Sequence, residues 1–320
     1  MQAEFYKFLT WPFHRALSHF GHTEITRVSH WLFVAACLAI SAPQGAVAVP
    51  AGSVESNSII TEMLEISGIT QAVRDMPEQM QDVLNGDPKI QSLRPEQRAA
   101  IQSAFAQAYS PAAMTEVIKQ ALRKNFDEVR FKQFVELHHQ PLMRKFIALE
   151  AAAETAQGRA DMQAYLAQLP GHPPTQERLA LVQRLDQVTH ASAAVINIQI
   201  AIVRAITGTA AMLQPNELRP SKEQLDAFLE QLDKQLRASL TSATATSLQQ
   251  SYLYAYRGVS DAELKQYVDG YDNPAIQWCV FLIEQGLQAA LTEASINAVR
   301  SSNEALTKKE ALTKKPGDNI

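Results

Sequence analysis

In the body of this 320-residue chain, the side chains best suited to chemistry are four histidines, one cysteine and a run of tyrosines. His138 and His139 are adjacent near the end of a predicted helix, with His172 and His190 further on. Neighbouring side chains point to different sides of a helix, so His138 and His139 do not share one metal ion without strain. The negative end of the helix dipole favours them as a helix-end pair instead. Cys279 lies in the apolar run WCVFLI and reads as a buried, inert thiol rather than a nucleophile. Tyr252, Tyr254 and Tyr256 alternate in SYLYAYRG beside Arg257. They could form a stacking platform for a ligand. On a helix that spacing splays them around one turn, and packing is the preferred reading. Asp261, Glu263 and Asp269 read as solvated helix charges. A catalytic carboxylate pair would need convergence of distant segments, which spacing does not reveal.

The sequence contains no HExxH, CxxC, GxSxG or P-loop, and no GxGxxG behind a strand. No catalytic, cofactor-binding or metal-ligating residue is assigned, no cofactor is expected, and the chain reads as a non-enzyme.

The elements that would position these residues are helices. Only 12 glycines in 320 residues, amid much Ala, Gln, Leu and Glu, favour helix over strand. Ile59, Met63, Leu64, Ile66 and Ile69 lead a first helix into PEQMQDVL, which stops at Asn85-Gly86-Asp87-Pro88. Pro95, Pro111 and Pro141 each head a further helix, where the missing N–H is not needed. Asp127 is placed to cap another, and residues 159–169 fit one more short helix. Leu169-Pro170-Gly171-His172-Pro173-Pro174 is the strongest breaker and is taken as the boundary between two halves. VINIQIAIV at 195–203 alternates like a strand, yet it has no partner strand and reads as a central, mostly buried helix. Arg204 near its middle argues against a membrane span. Ser221 with Gln224 and Ser260 with Glu263 form capping boxes.

One sentence is written twice: FKQFVELHHQP at 131–141 and LKQYVDGYDNP at 264–274. Each copy reads as a capped helix followed by a Pro-headed helix. The inward side chains are Phe131, Phe134, Val135, Leu142, Phe146, Ile147 and Leu149, then Leu264, Tyr267, Val268, Ile276, Val280, Phe281, Ile283 and Leu287. A separation of 133 residues is too long for a solenoid repeat and fits duplication of a helical lobe. The stretch Phe131–Val135 with Pro141–Phe146, and Ser260–Leu264 through Tyr271–Pro274, resembles the family called domain of unknown function 2059 over some 60 residues per copy. His138-His139-Gln140 departs from the aromatic and small residues usual there. The resemblance implies an exported bacterial helical protein and names no activity.

The leader agrees with export. Lys7, Arg15 and Arg27 precede the apolar block WLFVAACLAI, which is too short to span a bilayer, and Ala46-Val47-Ala48 follows as a cleavage site before Val49. Val34-Ala35-Ala36-Cys37 offers the alternative of a lipoprotein anchored through Cys37. His14, His19, His22 and His30 fall in the segment removed. The mature chain carries 26 basic and 31 acidic side chains and Cys279 as its one cysteine, so it forms no internal disulfide. Its net charge of −5 gives no field for nucleic acid.

The expectation is thus an all-α protein of two pseudo-repeated helical lobes built from antiparallel helical hairpins. It comprises a signal peptide (1–48), lobes at 49–169 and 175–300 joined by a linker (170–174), and a flexible charged tail (301–320). Its expected role is non-enzymatic binding of an envelope protein or apolar ligand in a groove between helices, with no stable membrane span in the mature chain. A hydrolase with dispersed acid–base residues, or a lipid-anchored structural component, is the alternative.

Overall fold

The computed structural model describes residues 54–212 and 219–313, and the leader, Cys37 and the last seven residues lie outside them. The described residues are helical throughout, with no strand among them. In chain order the helices are α1 (Val54–Ile66), α2 (Ile69–Gly86), α3 (Pro88–Gln91), α4 (Pro95–Ala108), α5 (Pro111–Lys124), α6 (Glu128–His139), α7 (Pro141–Glu154), α8 (Ala156–Gln168), α9 (Gln176–Thr189), α10 (Ala191–Met212), α11 (Lys222–Ala255), α12 (Asp261–Tyr271) and α13 (Pro274–Thr313).

Local sequence sets most of these boundaries. Asp127 accepts a hydrogen bond from the Arg130 N–H at the start of α6. Ser260 and Glu263 close a full capping box on α12, and Ser221 and Gln224 bond reciprocally before α11. Thr155 and Thr175 cap α8 and α9 through their hydroxyls. Two breaks escape these signals. The expected helix from Ile59 into PEQMQDVL is two helices, because Gly68 turns left-handed (φ 67°) and the Ser67 and Gly68 N–H groups close the end of α1 onto Met63 and Glu65. His190 also adopts a left-handed conformation (φ 54°) and separates α9 from α10. At the other end, the first ALTKK lies inside α13, which continues to Thr313, so helix extends into the segment expected as a tail.

VINIQIAIV is helical within α10, with Ile196, Ile198, Ile200 and Ile202 buried. Residues 191–211 are the one described helix long and apolar enough to cross a membrane, and 56% of that stretch is buried against the rest of the protein.

The described residues gather into two compact units, each drawn from segments distant in sequence. The first comprises the described part of Met1–Ala72 with Ile118–Ile196 and Ser239–Gly286; the second comprises Val73–Val117, Asn197–Ala238 and the described part of Leu287–Ile320. The turn at 170–174 therefore connects α8 and α9 inside the first unit, and both copies of the duplicated sentence lie in that same unit. Proline and glycine end a helix at 170–174, although Pro77 lies inside α2, and only packing decides which helices share a core.

In the first unit, α9 lies along α12, α1 along α6, and α7 touches α6, α8 and α12. In the second, Ser295 on α13 donates to Ala201 O at 3.0 Å and pairs with the Tyr109 hydroxyl at 3.0 Å. There Arg204 donates to Leu229 O, and Arg237 to Asn197 Oδ1.

Gly158 is the tightest point of the first unit. A Cβ there would lie 2.3 Å from Ala152 O and 2.6 Å from Ala153 O, main-chain atoms that cannot swing aside. Alanine's gain in helix propensity is about 1 kcal/mol. Overpacking against backbone costs about 1–3 kcal/mol or more and wins. Gly158→Ala is expected to lower the urea midpoint of unfolding with the m-value unchanged, whereas Gly86→Ala, which meets open space, is expected to leave it unchanged or raise it.

A buried acid, tyrosine and histidine cluster between the two motif copies

The copies meet each other. Counting 133 residues forward from any position of the first copy gives its equivalent in the second, and the contacts follow that rule. His138 is equivalent to Tyr271, and the two side chains are hydrogen-bonded, Nε2 to hydroxyl, at 3.2 Å. Leu137 is equivalent to Gly270, and a Cβ on Gly270 would lie 3.2 Å from the Leu137 side chain. The Arg130 guanidinium sits over the Trp278 ring at 4.7 Å, and the equivalent pair, Glu263 with Lys145, forms an ion pair at 2.5 Å. Phe146 stacks on Tyr267, with ring centroids 4.2 Å apart.

Several side chains expected to face inward do so: Phe131, Phe134, Phe146 and Ile147 from the first copy, and Leu264, Tyr267, Val268, Ile276, Ile283 and Leu287 from the second. Phe281 does not. It is 48% exposed, because the buried stripe of α13 runs through Cys279, Leu282 and Ile283 and leaves position 281 on the other side.

The first copy also buries an acid. Glu150, 5% exposed, follows Met143, Phe146 and Ile147 on the inward stripe of α7. Its Oε1 accepts a hydrogen bond from the Tyr256 hydroxyl and another, of 2.9 Å, from Tyr267. Tyr271 stands edge-on to Tyr267, with ring centroids 5.4 Å apart, and is hydrogen-bonded to His138. The far ring nitrogen of His138, Nδ1, lies 2.8 Å from Phe134 O. A carbonyl only accepts, so Nδ1 carries the proton, Nε2 is left as the acceptor, and Tyr271 donates to it. Two hydrogen-bonded groups, Glu150 with Tyr256 and Tyr267 and His138 with Tyr271, thus sit side by side, joined by the edge-to-face contact of Tyr267 with Tyr271.

Burial sets the electrostatics. It pushes the Glu150 carboxyl up to about 7, against the pull of the Tyr256 and Tyr267 hydrogen bonds. Glu154, one turn along α7, is raised to about 8 by burial, with Arg159 opposing and Glu150 adding to the rise. Burial lowers His138 to about 4, although the bond to Phe134 O favours the charged ring. Tyr252, Tyr256 and Tyr267 all lie well above the ordinary phenol range for the same reason. Arg178 fixes the turn that carries Tyr256, donating to Tyr256 O at 3.2 Å and Val259 O at 2.5 Å while its Nε lies 2.6 Å from Asp261.

All three tyrosines of SYLYAYRG are buried, as is Cys279. Tyr254 packs under Arg257 (3.9 Å) and beside Tyr165, and Tyr256 reaches Glu150. His139 points away from His138, to Glu62 at 3.3 Å. His172 is exposed in the turn after α8. His190 Nδ1 lies 3.7 Å from Glu284. Among the described residues no three His, Cys, Asp or Glu side chains are grouped to hold a metal ion. Sequence reasoning missed Glu150 altogether. Its position on the Met143–Phe146–Ile147 stripe was the available signal.

No protein-family model, curated protein or solved structure matches this chain.

Two outcomes are expected. Tyr256→Phe removes one of the two donors to a buried carboxyl without changing shape, and is expected to destabilise the protein by about 1–3 kcal/mol in urea titrations. Burial pushes the Cys279 thiol up to about 12, so peptide mapping after iodoacetamide treatment near neutral pH is expected to show Cys279 unmodified in the native protein and modified in denaturant.

Proposed function

We propose that this is an exported bacterial envelope protein that acts by binding rather than by catalysis, holding an envelope protein or an apolar ligand along a groove between its helical hairpins. The observation that carries this reading is the fate of the best acid–base groups. Both nitrogens of His138 and the carboxyl of Glu150 are spent on partners inside the core. A group so engaged holds helices together and is not free to reach a substrate. Large apolar side chains on the surface of the same unit, Val129 at 66% and Phe281 at 48% exposure, support a contact surface. The similarity of both motif copies to domain of unknown function 2059, and the basic–apolar–small order of residues 1–48, support duplication and export.

One observation favours a hydrolase instead: His190 is 43% exposed on its side chain and stands beside the Glu284 carboxylate. Its Nδ1–Oε2 separation of 3.7 Å is that of a surface ion pair rather than an oriented general base.

Intact-mass spectrometry of the protein from its native envelope fraction, joined to photo-crosslinking from a benzophenone amino acid at position 281, tests the proposal. The expected mass starts at Val49, and the expected crosslink is to a discrete partner. A mass starting at acylated Cys37 replaces the soluble form with a membrane-tethered one, and an uncut chain overturns export. A hydrolytic activity abolished by His190→Ala overturns the binding reading.

A further inference from the structure

The pairing of the two copies is two-fold in form, because Arg130 with Trp278 and Lys145 with Glu263 are one contact with the copies exchanged. Two equivalent edges of the pair therefore face solvent, and they carry different side chains. At the Lys145–Glu263 edge Arg144, Lys145, Ala148 and Ala262 are all exposed, and each is small or charged. At the Arg130–Trp278 edge the same positions hold Gln277, Trp278, Phe281 and Val129. Cys279 Sγ lies 3.6 Å from Arg130 O, so α6 and α13 adjoin there. Val129 precedes that junction on α6, and Phe281 follows Trp278 by one turn on α13. The hairpin does not require these large apolar groups, since the first copy builds the same hairpin without them.

The outward face of α13 is also short of charge. Between Pro274 and Thr292 it carries one ionisable side chain of that kind, Glu284, which stands beside His190. Its counterpart α7 carries Arg144, Lys145, Glu150 and Glu154 in a shorter span. Phe281, Gln285 and Gln288 are exposed. A solvated helix face ordinarily carries charged residues. Trp, Phe and Arg together, with Lys, Glu and Asp scarce, are instead the composition of an interface core. The charges at its margin are balanced: Arg130 and Asp127 lie 3.4 Å apart, with their side chains 46% and 40% exposed.

We propose that this edge, centred on Trp278 and Phe281, is the face of a homodimer, and that its partner is a second copy of this chain. A two-fold axis sets each surface against itself, so the surface must be self-complementary. Phe281 and Val129 meet apolar groups of their own kind. A cation beside an anion is the arrangement that a two-fold axis turns into complementary pairs, Arg130 of each copy facing the partner's Asp127. A patch of one sign would repel its copy. The proposal rests on the reading of this surface as a contact surface, and on neither export nor a ligand in the groove.

Analytical ultracentrifugation of the protein isolated from its envelope fraction tests the dimer. A concentration-dependent dimer is expected. Phe281→Glu sets a carboxylate at the centre of the face and is expected to weaken association roughly thirtyfold or more, with the far-UV circular dichroism unchanged. Ala148→Glu makes the same change at the equivalent place on the other edge and is expected to leave the dimer intact. If Phe281→Glu does not fold, Val129→Glu, at a more exposed position, takes its place. A monomer at every concentration overturns the proposal, as does a dimer that Phe281→Glu leaves intact or that Ala148→Glu weakens equally. A monomer whose benzophenone at position 281 crosslinks to a different protein overturns the dimer and leaves the binding reading standing. In the dimer, that crosslink joins two copies of the chain.

Discussion

A buried carboxyl with phenols for partners constrains everything around it. Glu150 accepts from Tyr256 and Tyr267 on one oxygen, and no arginine or lysine among the described residues forms an ion pair with it. An ionised carboxylate in such a place would cost several kcal/mol. The core therefore favours the protonated acid, and the tyrosines sit where their hydroxyls reach it. That requirement fixes the depth at which α12 packs on α7. It also explains why the turn after α11 is pinned by Arg178, since a shift of that turn would withdraw the Tyr256 hydroxyl. The ring stack of Phe146 on Tyr267 supplies apolar contact, while the hydroxyls one atom beyond supply direction.

The same geometry accounts for the differences between the two copies of the repeated sentence. Where equivalent positions meet, identical side chains would have to satisfy one another. Two histidines at positions 138 and 271 could pair only with one ring as donor, and each would still need a partner for its other nitrogen. Histidine opposite tyrosine solves this: the imidazole returns one nitrogen to its own helix at Phe134 O, and the phenol serves the other. Leucine opposite glycine, at 137 and 270, is the steric counterpart, one side chain filling the space the other vacates. At the rim, Arg130 over Trp278 and Lys145 with Glu263 hold equivalent places by different forces. These surface contacts contribute little, on the order of 1 kcal/mol or less each. The central pairs, which are desolvated, set the register.

What the sequence disclosed and what it hid divide along the same line. Caps at Asp127, Ser221 and Ser260 and the proline-headed helices at 95, 111 and 141 depend on residues three or four places apart, and all are found where local chemistry puts them. At Gly68 the Ser67-Gly68 pair is a legible turn signal inside a helical pattern, whereas left-handed His190 has no flanking proline or glycine to announce it. Phe281 was placed inward because hydrophobicity alone does not say which of several apolar residues in WCVFLI lies on the buried stripe. Glu150 was passed over because its partners lie 106 and 117 residues away, and a glutamate in an alanine-rich helix is ordinarily solvated.

The assembly of the two units shows a further limit. Helix signals are read in order along the chain, but the first unit collects three separated stretches, and the prolines at 170–174 fall within one of them. A strong breaker marks where a helix must end and carries no information about which core the next helix joins. What joins α9 to the motif copies is a set of long-range contacts: Arg178 to the turn after α11, Arg184 to Asp269 and Asp272, and Thr189 to Tyr252. Bringing such distant groups together carries a loop-closure penalty that grows only slowly with separation, so burial of the aromatic core can outweigh it. The duplicated sentence, legible as two identical-looking hairpins, becomes one core because the polar groups that distinguish the copies complete each other.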